Sequence, residues 1–458
     1  MSIDCWEDHV AKTKKAPDEP TIGAVPRSLS GALFKPISAG MNSSSLNACV
    51  GHNTGSRDNS ESYSDGFQIG TEVLLKAAGV SAPDGASERW GEYPPVDALV
   101  YPICYGARHH AELVLKRIAQ QMWELYKLRR HNNPQNFKQP KKVDLSHNIY
   151  DVWEQAHGYC EATDARLAAL SAELEPYIRD IDHVDDTGQA FRYPASAQTS
   201  NLHLTGLSVI NLAHFAAGFA RMTDLLERLE SNIFNIRQEI STGTYTSKLN
   251  REQLLPIAKR LPHATSGKEE HLKIKGEVMA DYEISGSQFD QARQVIVKTH
   301  SLAHHVGITL PLKGVTKYLF QRLKRVYAKQ IQAAGALTKE ESAALYALRD
   351  IGLGDIYPEM FEKAIVEISS DEGGDNYYAT ASDAEQLARK VNGRPDIVEL
   401  ALKRMGQAQL AAEFADVYGE EIKAWQDAIS RNDGLGVAEM LALARSGGGA
   451  GVQEKGAE

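Results

Sequence analysis

The stretch 96-VDALVYPICYGARHHAELVLKRIAQQMWELYKL-128 decides the fold class of this chain. Wound into a helix that turns about 100° per residue, it puts Ile103, Ala107, Ala111, Val114, Leu115, Ile118 and Met122 on one apolar face. Arg108, Glu112 and Lys116 stand one above another along the edge of that face, at the four-residue spacing that lets side chains meet. His109 points away from the apolar stripe, and His110 lies near its other edge. Pro102 is expected to mark the helix start, because proline suits a first helical turn. On an open helix surface such a ladder is worth only roughly 0.2–0.5 kcal/mol per pair. Its place beside the apolar face, not opposite it, predicts partial burial and makes it a candidate site.

Working outward, helical spacing continues on both sides. Upstream, FQIGTEVLLKAAG from Phe67 reads as a helix, preceded to about Ser62 by an irregular or partly disordered arm rich in Gly, Ser, Asn and Pro. Downstream, the basic, proline-containing segment from Arg129 to Lys142 reads as a loop. Helices follow in SHNIYDVWEQAHG and ATDARLAALSAELEPYIRDID, and a turn-rich stretch from Asp185 to Ser200 holds FRYP. Next, Leu212, Phe215, Phe219, Met222, Leu226, Leu229 and Ile233 alternate at three and four residues, a narrow seam for one neighbouring helix or a partner chain. The seam favours a homodimer.

From about residue 250 a second helical region begins. LNREQLLPIAKRLP is a short helix, SQFDQARQVIVKTHSLAHHVG a longer one with its cap expected at Ser287, and KGVTKYLFQRLKRVYAKQIQAAG an amphipathic, basic one. Thr338 with Glu341 and Ser382 with Glu385 have capping-box spacing. RPDIVELALKRMG, QLAAEFADVYG and GVAEMLALA complete the series. No run of alternating β-branched residues is long enough for a sheet. The expectation is an all-α protein: an arm over 1–62, a bundle over 63–240, a helical C-terminal domain over 250–446 and a flexible tail over 447–458.

Composition narrows the function classes. At 458 residues the chain is too long for one ordinary core. Hydrophobic residues at 42% and charged residues at 24% suit a globular fold. No apolar run approaches the roughly 18–20 residues that span a bilayer, and MSIDCWEDHVAKTKKAPDEP carries no apolar stretch like a secretion signal. A cytoplasmic protein with no membrane partner is therefore expected. The four cysteines form no Cys-x-x-Cys pair, so free thiols are expected. A net charge of −10 leaves any phosphate binding to local basic patches. Phosphate-binding loops and a Gly-x-Ser-x-Gly elbow are missing, the Gly-Lys pair in SGKEE notwithstanding. His300 and His304 have a spacing that two metal ligands can use, but no third ligand lies nearby, so they read as helix-surface histidines. His263 and His271 are loop residues with no assigned role. No cofactor and no metal is expected.

YPICYGARHHAELVLKRI, the following basic loop, DLSHNIYDVW and FRYP together resemble bacterial HEPN-like helical proteins (higher eukaryotes and prokaryotes nucleotide-binding) over about residues 62–235. Arg108, His109, Glu112, Leu113, Leu115 and Lys116 fit the family's Arg-His-x-x-Glu-Leu-x-Leu-Lys helix, and His147 fits its His-x-Leu-type helix start. The resemblance implies a four- to five-helix bundle, often dimeric, followed here by a second helical domain. It also implies a place in toxin or phage-defence systems. Active ribonucleases of that family carry Arg-x4–6-His near the start of the last bundle helix. Here Arg192 and His203 stand too far apart, His214 precedes Arg221 in reversed order, and the matching pair Arg293 and His300 falls outside the bundle.

Metal-independent RNA cleavage needs a His or acid near the attacking 2′-hydroxyl and a cation for the developing charge. Arg108, His109, Glu112, His147 and Arg192 are the candidates for those roles. Lys116 and two basic patches are candidates for phosphate contact: one on the loop after the Arg108 helix with Lys127, Arg129, Arg130, Lys138, Lys141 and Lys142, the other on the helix with Lys313, Lys317, Arg322, Lys324, Arg325 and Lys329. The expected function is a defence-associated, non-catalytic sensor or regulatory module for nucleotide or nucleic acid, working with a protein partner encoded nearby. The alternative is a ribonuclease effector acting on RNA.

Overall fold

The structure, a computed structural model, describes residues 60–80, 96–132, 146–196, 200–263, 266–369 and 384–431. All belong to one compact unit that starts at Ser60. Among these residues there are fifteen α-helices and no strand, so the fold is all-α. No helix among them is long and apolar enough to cross a membrane.

The first five helices form a bundle: α1 (Ser60–Ala77), α2 (Val96–Asn132), α3 (Ile149–Thr163), α4 (Ala165–Asp185) and α5 (Leu212–Thr242). Helix α2 is the central rod, packed on α1, α3 and α5, while α4 bridges α3 and α5. The apolar face read from its sequence is buried as a whole, with Ile103, Ala111, Leu115, Ile118 and Met122 fully enclosed. Each large side chain removed from water in this way contributes about 1.5–3 kcal/mol before entropy is counted. The helix begins at Val96, earlier than expected, with Pro102 inside it. Pro102 is exposed on the outer side of the rod, where its missing N–H and its ring meet least resistance from neighbours.

The seam on α5 is also buried, but within the chain. Phe219, Met222, Leu226, Leu229 and Ile233 join the same hydrophobic cluster as α2, α3 and α4. The seam is therefore satisfied by its own bundle and no longer argues for a homodimer. Helix α5 is capped at Asn211 and ends at Gly243, whose φ of 70° closes the last turn in the left-handed region.

Beyond residue 248 the helices surround two further clusters. Helices α6 (Arg251–Arg260), α7 (Lys268–Asp281), α8 (Gly286–Lys298) and the single turn α9 (His300–Ala303) enclose one, built on Leu254, Ile257, Phe289 and Ile296. Helices α10 (Lys317–Tyr327), α11 (Lys339–Leu353), α12 (Phe361–Ser369), α13 (Ala384–Gly393), α14 (Pro395–Arg404) and α15 (Ala408–Arg431) enclose the other, built on Phe320, Leu348, Phe361 and Phe414. The Thr338–Glu341 capping box is present. The cap of α8 is Ser285, not Ser287, because Ser285 pairs reciprocally with Gln288 three residues on. Ser382 and the segment GVAEMLALA lie outside the described residues.

Candidate functional site: a buried arginine clamp beside an apolar cleft

Helix α2 carries the polar ladder into the interior. Arg108 and Glu112 are 2% and 3% exposed, far from the solvated pairs that this spacing produces on an open helix. Arg108 Nη1 donates to Glu112 Oε2 at 2.6 Å, and Lys116 Nζ donates to Glu112 Oε1 at 2.6 Å. The rest of the guanidinium leaves the helix. Its Nε donates to the Asp185 carbonyl at 2.8 Å, and its Nη2 to the carbonyls of His147 at 2.7 Å and Asp186 at 2.8 Å.

Those three oxygens belong to the C-terminal end of α4 and the approach to α3. A helix C-terminus leaves carbonyls without intrahelical donors and carries the negative end of the dipole, so a buried cation is well placed there. The Ile149 N–H donates to the same Asp186 carbonyl at 3.2 Å, which fastens the start of α3 to the end of α4. Gly188, with φ at +77°, turns the chain directly over the guanidinium; a Cβ there would sit 3.0 Å from Arg108 Nη1.

Glu112 gathers four cationic or imidazole groups. His147 Nδ1 lies 2.9 Å from its Oε1, and His109 Nδ1 lies 3.9 Å from its Oε2. Burial by itself would raise the Glu112 pKa. The nearby His109 imidazole and the hydrogen bonds from Lys116, Arg108 and His147 outweigh it and hold the carboxyl well below the ordinary glutamate range. Glu112 is thus a permanent anion and a poor proton donor. Arg192 completes the set from the turn after α4: its guanidinium lies 5.5 Å from the centroid of the Tyr105 ring. Tyr105 in turn stacks on His109 at 5.6 Å. The structure therefore brings Arg108, His109, Glu112, His147 and Arg192 into one neighbourhood, with Arg108 and Glu112 inside and His147 and Arg192 at the exposed rim.

Of the candidate phosphate-binding residues, Lys116, Arg129, Lys317 and Lys324 are engaged with carboxylates. Lys116 is on Glu112, Arg129 on Asp164 at 2.7 Å, and Lys317 on Asp416 at 2.9 Å. Lys324 donates to the Val417 carbonyl and pairs with Glu421 at 3.0 Å. Arg325 is exposed. Lys141, Lys142 and the side chain of Arg130 lie outside the described residues. His300 sits beside Glu362 at 2.7 Å, and among the described residues no group of His, Cys, Asp and Glu could hold a metal ion.

Sequence reasoning missed the feature next to the clamp. An open cleft of about 910 Å³ lies between Cys104 and Ala107 of α2, the last turns of α4 and the first turns of α5. That volume falls within the range of small-molecule sites. Tyr177, Ile181, Phe215, Phe219 and Met222 give it apolar walls, while Arg108, Asp182 and Asp185 supply polar groups. Burial, reinforced by the charge of Asp185, pushes the Cys104 thiol up to about 12, so it is neutral and unreactive. The one available signal was the Asp-Asp-Thr-Gly turn at 185–188, and it names a turn, not a cleft. No protein-family model, no curated protein and no solved structure matches this chain.

Proposed function

We propose that this chain is a HEPN-like, non-catalytic sensor or regulatory module of a bacterial defence system, and that its bundle binds a nucleotide in the cleft beside Arg108. The observation that carries this reading is the saturation of the clamp next to an open, mostly apolar cleft. Arg108 commits four of its five N–H groups to Glu112 and three carbonyls, and Glu112 is held ionised among its four partners. A phosphoryl transition state needs a cation with free donors and a group that exchanges protons near neutral pH. Arg108 keeps a single uncommitted N–H, on Nη1, and Glu112 is held ionised, so the inner pair fits that description poorly. A nucleobase, by contrast, is flat and partly apolar and suits walls of Phe215, Phe219 and Tyr177, with its phosphates left in solvent at the mouth near the exposed His183 and His214. The pairing of Lys116, Arg129, Lys317 and Lys324 with carboxylates favours a small ligand over an RNA backbone tracked by these residues.

Calorimetric titration of the purified chain with adenine and guanine mononucleotides tests this reading, run beside an RNA cleavage assay with chelator. Saturable nucleotide binding with intact RNA is the expected result. Chelator-resistant cleavage that disappears in His147→Ala replaces it with the ribonuclease alternative. His147 is the better probe for this purpose, because its imidazole is exposed whereas Arg108 holds the bundle together.

A further inference from the structure

The chain that leads into α5 along the edge of the cleft is fastened at both ends and loose between them. Upstream, Ala195 pairs with Leu202, and the His203 N–H donates to the Pro194 carbonyl at 3.0 Å. Downstream, the Asn211 side chain caps α5 by accepting the His214 N–H at 2.9 Å. From 204 to 210 the only backbone hydrogen bond donated to another described residue is a turn, from the Leu207 N–H to the Leu204 carbonyl at 3.2 Å. The N–H groups of Ser208, Val209 and Ile210 find no acceptor among the described residues. Leu207, Val209 and Ile210 line the cleft, yet Leu207 is 36% exposed. Val209 is 81% exposed, more than any other large apolar side chain among the described residues. A lone exposed apolar residue is ordinary. Two of them on an unbonded segment, at the mouth of an apolar cleft, are surface poised for burial. The segment also starts on a strained residue: Leu204 has φ at +55°, a left-handed backbone that is costly for a side chain with a Cβ. At Gly206 there is room to swing, since a Cβ built there meets nothing within 4 Å.

We propose that residues 204–210 form a strap that closes over the occupied cleft, hinged at Leu204 to Gly206 and at Asn211, and lays Leu207 and Val209 on the ligand. This rests on the cleft being a ligand site, as in the nucleotide reading, and adds how that site shuts. With the cleft open, the two side chains have only water to face. A nucleobase seated against Phe215 and Tyr177 gives them an apolar surface, and ligand and strap leave water together. The 195–202 bridge and the Asn211 cap lie outside the moving residues, so closure breaks neither.

Hydrogen exchange on peptides covering 204–211, with and without saturating AMP or GMP, reads the strap directly. The free chain should exchange there almost as fast as an unfolded peptide, and the bound chain about ten-fold more slowly or better. Leu207→Ser and Val209→Ser alter only side chains that the open form leaves exposed, so the fold is kept. Each should weaken the nucleotide about ten-fold, through faster dissociation with association unchanged. Val366→Ser, at an exposed valine of α12 that does not line the cleft, should leave the affinity as it is. A strap already protected in the free chain overturns the inference. So does a nucleotide that binds while the strap exchanges as before, or that binds both cleft-edge serine variants as tightly as the parent; these two results leave the cleft reading standing. A parent chain that binds neither nucleotide removes both.

Discussion

Arg108 joins three helices through a single side chain, and the energetic consequence lies in what its loss would leave behind. Four acceptors converge on its guanidinium, one of them the carboxylate of buried Glu112. Removing one partner of a buried ion pair costs about 3–5 kcal/mol, because the remaining charge stays desolvated. Arg108→Ala should lose at least that much in urea unfolding, and Arg108→Lys nearly as much, since an ammonium cannot reach the carbonyls of both α3 and α4 in the same fork. A variant as stable as the parent would remove the structural role. The pH dependence has a definite sign. The Glu112 pKa is lower in the folded chain than in the unfolded one, so its stabilisation is complete above the ordinary value of 4.5 and is lost as pH falls below that value. The stability gap between the parent chain and Glu112→Gln should be constant near neutrality and narrow below about pH 4.5. An unchanging gap down to pH 3 would contradict the hydrogen-bonded carboxylate. Gly188→Ala asks the same question through the backbone. Its φ of +77° and the 3.0 Å approach to Arg108 Nη1 both resist a side chain, so a cost of about 1–3 kcal/mol is expected by the same unfolding measurement.

At the scale of helices, legibility in the sequence tracked how local the cause was. The face of α2 and the seam of α5 are periodic within one helix, so both could be read, and Thr338 with Glu341 is a cap complete within four residues. Ser285 and Ser287 share the residue type of a cap, and only the reciprocal bonds with Gln288 mark Ser285 as the one that caps α8, Ser287 lying one residue inside it. Half of the clamp was readable as the Arg108–Glu112–Lys116 spacing. The other half is made of carbonyls 39, 77 and 78 residues away, and a carbonyl has no residue-type signature. The same holds where α11 crosses α14. Gly352 looks like an ordinary helix glycine, yet a Cβ on it would fall 2.0 Å from the Ile397 carbonyl oxygen. No side-chain rotation relieves a clash with backbone, so Gly352→Ala must separate the two helices. A loss of about 1–3 kcal/mol or more is expected, against the roughly 0.5–1 kcal/mol gain that alanine gives in an open helix. A thermal melt unchanged or raised would show that the helices do not approach so closely.

Across the whole molecule, three hydrophobic clusters are joined by polar bonds, His300–Glu362 among them, and the most buried of these junctions is built on Glu359. It stands in the short turn Pro358–Met360 before α12, with its side chain 4% exposed. Arg251, at the start of α6, reaches it through Nη2 at 3.1 Å and Nε at 3.3 Å. Ser301 of α9 donates its hydroxyl to the same carboxylate. The Arg251 guanidinium also lies 3.7 Å from the centroid of the Tyr357 ring, and the Tyr357 N–H donates to Gln238 Oε1 of α5 at 2.7 Å. One carboxylate thus ties the middle cluster to the C-terminal one, and its neighbour Tyr357 ties that junction back to the bundle. Core contacts inside each cluster do not depend on this junction, so its removal should separate their stabilities without melting any of them. Native-state hydrogen exchange reads that directly. In the parent chain, amides of Leu226 in the bundle and Leu348 in the C-terminal cluster should open with the same free energy. In Glu359→Ala the two should part by about 2 kcal/mol, as buried charged hydrogen bonds are lost. Equal openings in the variant would mean that the clusters communicate through other contacts, and that the clamp at Arg108 is then sensed across the chain by another route.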